Sequence, residues 1–565
     1  MKRYLYRLIL TLIGLSLICV SVLARQFGLA HNTDWGSSRI LLLMVGLSVF
    51  GMSWFASCFK QQSAYILTTS SLLLVLVVYA FIFTVGQRQR TPLPETTHDY
   101  DELATAFQSG HLYLDIKPPA ALLALPDPYD PQARNSDPAL ETYINTQAYD
   151  MSFYHYRFYM YWGPAPALLL SIVKFLYSGL IGDPVLVFLF CWGALLFQTL
   201  LLIRIWIRFF PNLPVWAIPL GIMTVGLMYP TVWMLHLPKI YQAAIFSCQF
   251  FLMAGLYFAW MAFEEKTIHA GNLWVAGILW ALAIASRATV LGSVLFLMGA
   301  VVLLIKKFYR TGNRVGLFFS LSAIVIPVAI TLVMLGWYNI ARFGSSLEFG
   351  LRYQLTVSDL NKNHDQLFSL NYVLPNLYNY TILPFQPQAR FPFIKAQAGV
   401  VPPFLDGLRL ANYQTEEITG ILFGAPFLLF VFWPAVSLAK WFTGKRTDVQ
   451  PSDRSTEDPL AHYRWISICL LGASIISFSV LLIYFYINMR FVADFMFSLA
   501  PLAVVGFWQG LSTLKPGVKR TLFSLSGILL SGLSIGIGIL LIISFSRPLQ
   551  NIFFYLFRYV GSFYR

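Results

Sequence analysis

The stretch GPAPALLLSIVKFLYSGLIG, residues 163–182, decides how the whole chain is threaded. It is apolar enough to pass for a membrane span, and counting it as one inverts every loop that follows. The surrounding chain has 565 residues, 57% of them hydrophobic and only 11% charged, far below the roughly 25% of ordinary soluble domains. Runs long enough to cross a ~30 Å hydrocarbon core, or nearly so, fall at 4–24, 39–58, 64–86, 184–203, 214–234, 241–263, 272–286, 289–305, 316–337, 418–439, 465–487, 495–513 and 521–545. The expectation is an all-α polytopic integral membrane protein with about thirteen spans.

Charge placement settles the threading. With the N-terminus inside, the connections carrying Lys60, Arg204 and Arg208, Lys266, the Lys306/Lys307/Arg310/Arg314 cluster, Lys440 to Arg464, and Lys515/Lys519/Arg520 are cytoplasmic, while the short outer turns carry few cations. That agreement holds only if 163–182 does not cross. The segment then reads as a juxtamembrane helix in the outer leaflet, with Pro164 in its first turn and Lys174 snorkelling to the interface. The net charge of +14 is topology information rather than a nucleic-acid patch, because the cations punctuate apolar runs.

The resulting organisation is three N-terminal spans in 1–86, an acidic extracytoplasmic loop with juxtamembrane helices in 87–183, central spans in 184–337, a second extracytoplasmic loop in 338–417, and C-terminal spans with a short tail in 418–565. Long loops held on a rigid scaffold tend to carry function. The first holds ten acids, including Glu95, Asp99, Asp101 and Asp150; the second is aromatic and holds Arg342, Arg352, Arg390 and Arg409. An acidic loop facing a basic aromatic one can enclose a site.

Asp99 and Asp101 open a short amphipathic helix that begins in earnest at Leu103 and ends near Gly110. Carboxylates suit a helix N-terminus, but a base tuned by neighbouring acids suits the same position. Asp150 precedes a run of rings, YDMSFYHYRFYMYW over 149–162, and fits a semi-dry cleft as well as an interfacial aromatic belt. Lys239, Arg287, Arg342 and Arg490 each end a span on the face that should not be positive. Four cations there suit a phosphate at the membrane surface, with Arg offering forked donors and Lys a point charge. Tyr154, Tyr159, Trp162 and Tyr353 supply faces for a sugar ring.

His98, Asp99, Asp101 and His111 contain divalent-metal ligand types at a spacing that fits no template, and no metal ligand or cofactor is assigned. The five cysteines form no CxxC pair; Cys58 ends an apolar run and the others lie in or near one. Neither GxSxG nor GxxxxGK[ST] occurs.

The order HDYDELATAFQSGHLYLD (98–115), YDMSFYHYRFYMYWGPAPALLL (149–170), ASRATVLG (285–292), GWYNIARFGSSLEFGLRYQLT (336–356) and MRFVADF (489–495) resembles polytopic glycosyltransferases of the GT-C superfamily. The likeness is to family 39 and dolichyl-phosphate-mannose protein mannosyltransferase-like proteins. It implies an inverting transferase in a bacterial inner membrane, moving a sugar from a polyprenyl-phosphate donor to a glycan, lipid or protein acceptor on the extracytoplasmic side. In such families a first-loop aspartate is the base. The usual Asp-Glu pair after the first helix is absent here and two extra helices precede the acidic loop, so Asp101, Asp99 and Asp150 all stand as candidates, with Arg287, Lys239, Arg490 and Arg342 for the phosphate.

Two other classes fit less well. A transporter or flippase should show internal repeats and mid-span polar residues, whereas these charges gather at span ends. An O-antigen polymerase or ligase would place arginine and histidine chemistry in the second loop.

Overall fold

The computed structural model describes residues 2–24, 26–27, 37–53, 62–87, 97–177, 179–263, 267–309, 313–405, 410, 412–443 and 459–563. Cys58, Lys60, Glu95, Lys266, Arg310 and Arg409 lie outside them. The chain is an all-α polytopic membrane protein. Helices α1 (Lys2–Val22) and α2 (Ser37–Ser53) pack together, followed by α3 (Gln62–Gln87). The first long connection then folds as α4 (Asp99–Gln108), the short helices α5 (Ala120–Leu123), α6 (Pro131–Asn135) and α7 (Pro138–Tyr143), a hairpin of β1 (Ser152–Tyr154) and β2 (Arg157–Tyr159), and α8 (Ala165–Lys174).

The bundle resumes with α9 (Asp183–Phe209), α10 (Ala217–Leu227), α11 (Thr231–His236), α12 (Ile240–Met261), α13 (Ala270–Ser286), α14 (Leu291–Phe308) and α15 (Arg314–Phe343). After α16 (Val373–Thr381) in the second long connection come α17 (Ile421–Gly424), α18 (Phe432–Phe442), α19 (Pro459–Leu482), α20 (Ala493–Thr513), α21 (Val518–Phe545) and α22 (Arg547–Phe563). Among the described residues, eight helices are long and apolar enough to cross a membrane, and α2, α10, α13 and α18 are among shorter apolar ones. Helix α8 has ten residues, about 15 Å at 1.5 Å per residue, half a hydrocarbon core.

Helix α20 is apolar nearly all round and 94% buried over its apolar window, whereas α15, at 28%, presents most of its surface outward. Helices that are apolar on every face belong in the middle of a bundle or in lipid. Close crossings use glycine, as membrane helices generally do: a Cβ at Gly506 would lie 2.0 Å from the Phe430 carbonyl oxygen, and one at Gly277 would lie 2.5 Å from that of Ala323. Side-chain bonds span the helices too, Trp508 Nε1 donating to the Ala217 carbonyl at 3.0 Å and Tyr79 to that of Gly226 at 2.6 Å.

The two long connections fold against each other at one end of the bundle. Asp150 N–H donates to the Leu355 carbonyl at 3.0 Å, and Leu355 N–H returns to Met151 at 3.0 Å. Ser152 Oγ reaches the Gly350 carbonyl at 2.8 Å, and Arg134 bridges the carbonyls of Pro128 (2.8 Å) and Thr356. Buried backbone groups need such partners, so the strap satisfies both segments at once. Behind it Tyr154, Tyr159, Phe343 and Tyr353 pack with ring centroids 4.6–5.8 Å apart.

Gly163 fixes the entry to α8. A Cβ there would lie 2.1 Å from the Ala285 carbonyl oxygen and 2.6 Å from that of Ser286. Only glycine lets this backbone lie on the last turn of α13, directly before Arg287. Lys174 does not snorkel: it turns inward from the last turn of α8 to Asp101.

Candidate functional site

A cavity of about 660 Å³ opens where the two connections meet the bundle, and Asp150, Lys239, Arg287 and Arg490 all line it. Each is delivered by a different piece of chain. Asp150 follows the π-helical turn Ile144–Ala148 and takes φ +59°, a left-handed conformation that short polar Asp tolerates better than most residues. Its N–H is committed to Leu355 and its carbonyl accepts from Gln354 Nε2 at 2.9 Å, so the backbone is clamped by the second connection.

The Asp150 carboxyl accepts from Tyr241 Oη. Burial pushes its pKa above the usual carboxylate range, while hydrogen bonds from Tyr241 and Thr356 and the nearby Arg490 charge oppose the rise. A raised pKa makes this carboxylate a stronger base than an ordinary aspartate.

The cations sit where helix dipoles argue against them. Lys239 is the N-cap of α12, and Arg490 lies in the 3-10 turn Met489–Val492 that leads into α20. Helix N-termini carry partial positive charge and attract anions. Lys and Arg there add like charge, an arrangement that an anionic ligand would relieve. Burial and the Arg490 charge lower the Lys239 pKa. Arg490 stacks 4.1 Å above the Tyr241 ring, and its buried Nε has no hydrogen-bond partner among the described residues.

Arg287, just past the end of α13, is held by Asp494 Oδ2 at 2.8 Å and by Thr289 Oγ1 at 3.1 Å. With Tyr161, Trp162, Tyr484 and Phe491 it also lines a second, mostly apolar cavity of about 390 Å³. The two spaces therefore share a wall. Arg342 lines the second one, where it donates to the Met160 carbonyl at 2.6 Å and Asn339 Oδ1 at 2.8 Å and lies 3.7 Å over the Tyr338 ring.

The first-loop acids separate by environment. Asp101 is buried with Lys174 Nζ at 2.8 Å and the Ile181 N–H at 3.0 Å, both committed to seating α8 and the chain that follows it. Asp99 opens α4, where its N–H and that of Tyr100 cap onto Asp183 of α9 at 3.2 Å. Burial, then the Asp183 and Glu102 charges, push the Asp99 pKa well up. Neither Asp99 nor Asp101 lines either cavity. His98 pairs with Glu102 and His111 with Asp115, so His98, Asp99, Asp101 and His111 do not converge. Of the ring candidates, Trp162 lines both cavities and meets Tyr241 edge-on at 5.2 Å, while Tyr154, Tyr159 and Tyr353 pack behind the strap.

Several partners escape a sequence reading. Tyr241, Thr356, Gln354 and Asp494 become visible only through contacts across the chain. Glu416 had a signal, an acid pair beside Tyr413 in the connection read as basic, and it too lines the larger cavity.

No protein-family profile matches the chain, and no curated protein matches it in sequence. A fold comparison returns an archaeal oligosaccharyltransferase, AglB from Archaeoglobus fulgidus, solved in complex with an inhibitory peptide and a dolichol-phosphate. It is 12% identical over 82% of this chain, with a TM-score of 0.36, a likeness too slight to carry an argument. This chain spans about half of that longer one, 55% of its length.

Proposed function

We propose that the protein is an inverting membrane glycosyltransferase that moves a hexose from a polyprenyl-phosphate carrier to an acceptor on the extracytoplasmic face of a bacterial inner membrane. The observation that carries this reading is the convergence of Asp150 with Lys239, Arg287 and Arg490 in one cavity, two of those cations beside helix N-termini. Asp150 takes the proton from the acceptor hydroxyl or amide as that atom attacks the anomeric carbon. The bond from that carbon to the phosphate oxygen breaks, and the polyprenyl phosphate leaves with the electron pair. Lys239, Arg490 and Arg287 offset the charge that builds on it. A single displacement from the opposite face inverts the anomeric centre. The adjoining apolar cavity, reached past Arg287, suits the first isoprene units of the carrier.

The test is Asp150→Asn in proteoliposomes supplied with polyprenyl-phosphate sugars. Loss of a positioned base lowers the transfer rate by about 10²–10⁴-fold; a variant as fast as wild type overturns the assignment. A polymerase- or ligase-like reading has one observation in its favour, since Arg342, Arg352 and His364 line the apolar cavity. It predicts that His364→Ala, rather than Asp150→Asn, abolishes product.

A further inference from the structure

The second carboxylate of the large cavity has no part in the mechanism above, and its surroundings are built rather than incidental. Glu416 lies between two short strands, Gln414–Thr415, which pairs parallel with Tyr486–Ile487, and Glu417–Ile418, which pairs with Gln397–Ala398. Its N–H donates to the Ile487 carbonyl at 2.9 Å, and its own carbonyl accepts from Gly399 N–H at 3.1 Å. The side chain is held as firmly: Tyr486 Oη donates to Oε1 and Asn488 Nδ2 to Oε2. A carboxylate oxygen accepts at more than one site, so both oxygens keep capacity beyond these donors. Glu416 remains solvent-accessible and lines the cavity that Asp150 lines.

We infer that Glu416 is a sugar-recognition residue, accepting hydrogen bonds from a pair of neighbouring hydroxyls on the hexose held in this cavity. The inference rests on the glycosyl-transfer reading. The planar carboxylate, fixed in orientation by two donors, presents its oxygens as a fork, which matches adjacent ring hydroxyls. Arg490 is the cation whose charge acts on Glu416. The same cavity is also lined by Gln242, Gln354 and Gln414 and by Trp162 and Trp233, amides and rings of the kind a sugar can use.

The alternative is a staple that merely seats the second connection on residues 486–488. Binding separates the two without turnover. The full chain in nanodiscs is titrated with methyl hexopyranosides and their singly deoxygenated derivatives, read by saturation-transfer NMR. Wild type is expected to bind one hexoside best and to lose affinity on removal of either of two adjacent hydroxyls. Glu416→Ala should weaken that hexoside by roughly 10- to 100-fold, the range for hydrogen bonds to a charged group, and weaken each matching deoxy sugar, which keeps only one of the two hydroxyls, by clearly less, because half of the contact is already gone. Glu416→Gln, which keeps the shape and one acceptor oxygen, should fall between. Equal weakening of hexoside and deoxy sugar, or no change in either, overturns the proposal, as does a wild type that binds no hexoside. Failure of the transfer reading shows separately, as hexoside binding without transfer from any polyprenyl-phosphate donor.

Discussion

Replacing Asp101 with Asn separates a structural carboxylate from a chemical one. Asp101 and Lys174 are enclosed, with side chains 7% and 9% exposed, and they meet at 2.8 Å. Removing one partner of such a pair leaves a buried charge without compensation, which costs about 3–5 kcal/mol. Asn keeps an oxygen for the Ile181 N–H, now at 3.0 Å, so the lower end, about 3 kcal/mol, is expected. Protein in detergent is heated while tryptophan fluorescence reports unfolding, and transfer is measured in parallel on the folded fraction. Asp101→Asn should melt well below wild type yet transfer at near wild-type rate per folded molecule. Asp101→Asn combined with Lys174→Met should recover most of the melting temperature, because no lone charge remains. A variant that melts like wild type and has lost transfer would refute the reasoning and return the base to α4.

Asp150 should behave oppositely. Its raised pKa puts the acid limb of the rate profile above the ordinary carboxylate range, activity rising with pH as the carboxyl ionises. Tyr241→Phe removes a donor that favours the charged form, so that limb should move to still higher pH. Lys239 is shifted downward by burial and Arg490, so donor KM should climb with rising pH below the usual lysine range. Lys239→Arg, which keeps its charge throughout, should flatten that climb. Gly163→Ala forces a methyl against the carbonyls of Ala285 and Ser286. It should cost more than the ~1–3 kcal/mol of ordinary overpacking, read as a lower melting temperature, and should raise donor KM by displacing Arg287.

The all-α polytopic class is legible because apolar runs near twenty residues have few alternative explanations, whereas of the thirteen runs expected to cross, eight helices among the described residues are long and apolar enough. The span expected at 214–234 is broken at Met228–Pro230 into α10 and α11, a division that hydropathy does not mark. Sequence alone points Lys174 to the headgroups because its pairing with Asp101 is a contact between positions far apart in the chain. The same limit applies at the site. Their place at span ends puts Lys239, Arg287, Arg342 and Arg490 near one face, but that only the first, second and fourth line the larger cavity depends on packing, as the different surroundings of Asp99, Asp101 and Asp150 depend on long-range partners: Asp183, Lys174 and Leu355. Asp494, inside the quoted MRFVADF, became meaningful only once it met Arg287.

The strap between the two connections also sets a schedule for biosynthesis. Gln354 clamps the Asp150 carbonyl across 204 positions of sequence, and Arg134 reaches Thr356 across 222. When the first connection emerges from the ribosome, the chain that will hold Asp150 in its left-handed conformation has not been made. The growing polypeptide therefore carries its aspartate and its rings through insertion of α9 to α15 without a completed pocket. The pocket that Asp150 lines is complete only once the second connection has docked, and an N-terminal fragment ending before Gly350 lacks the residues that close it.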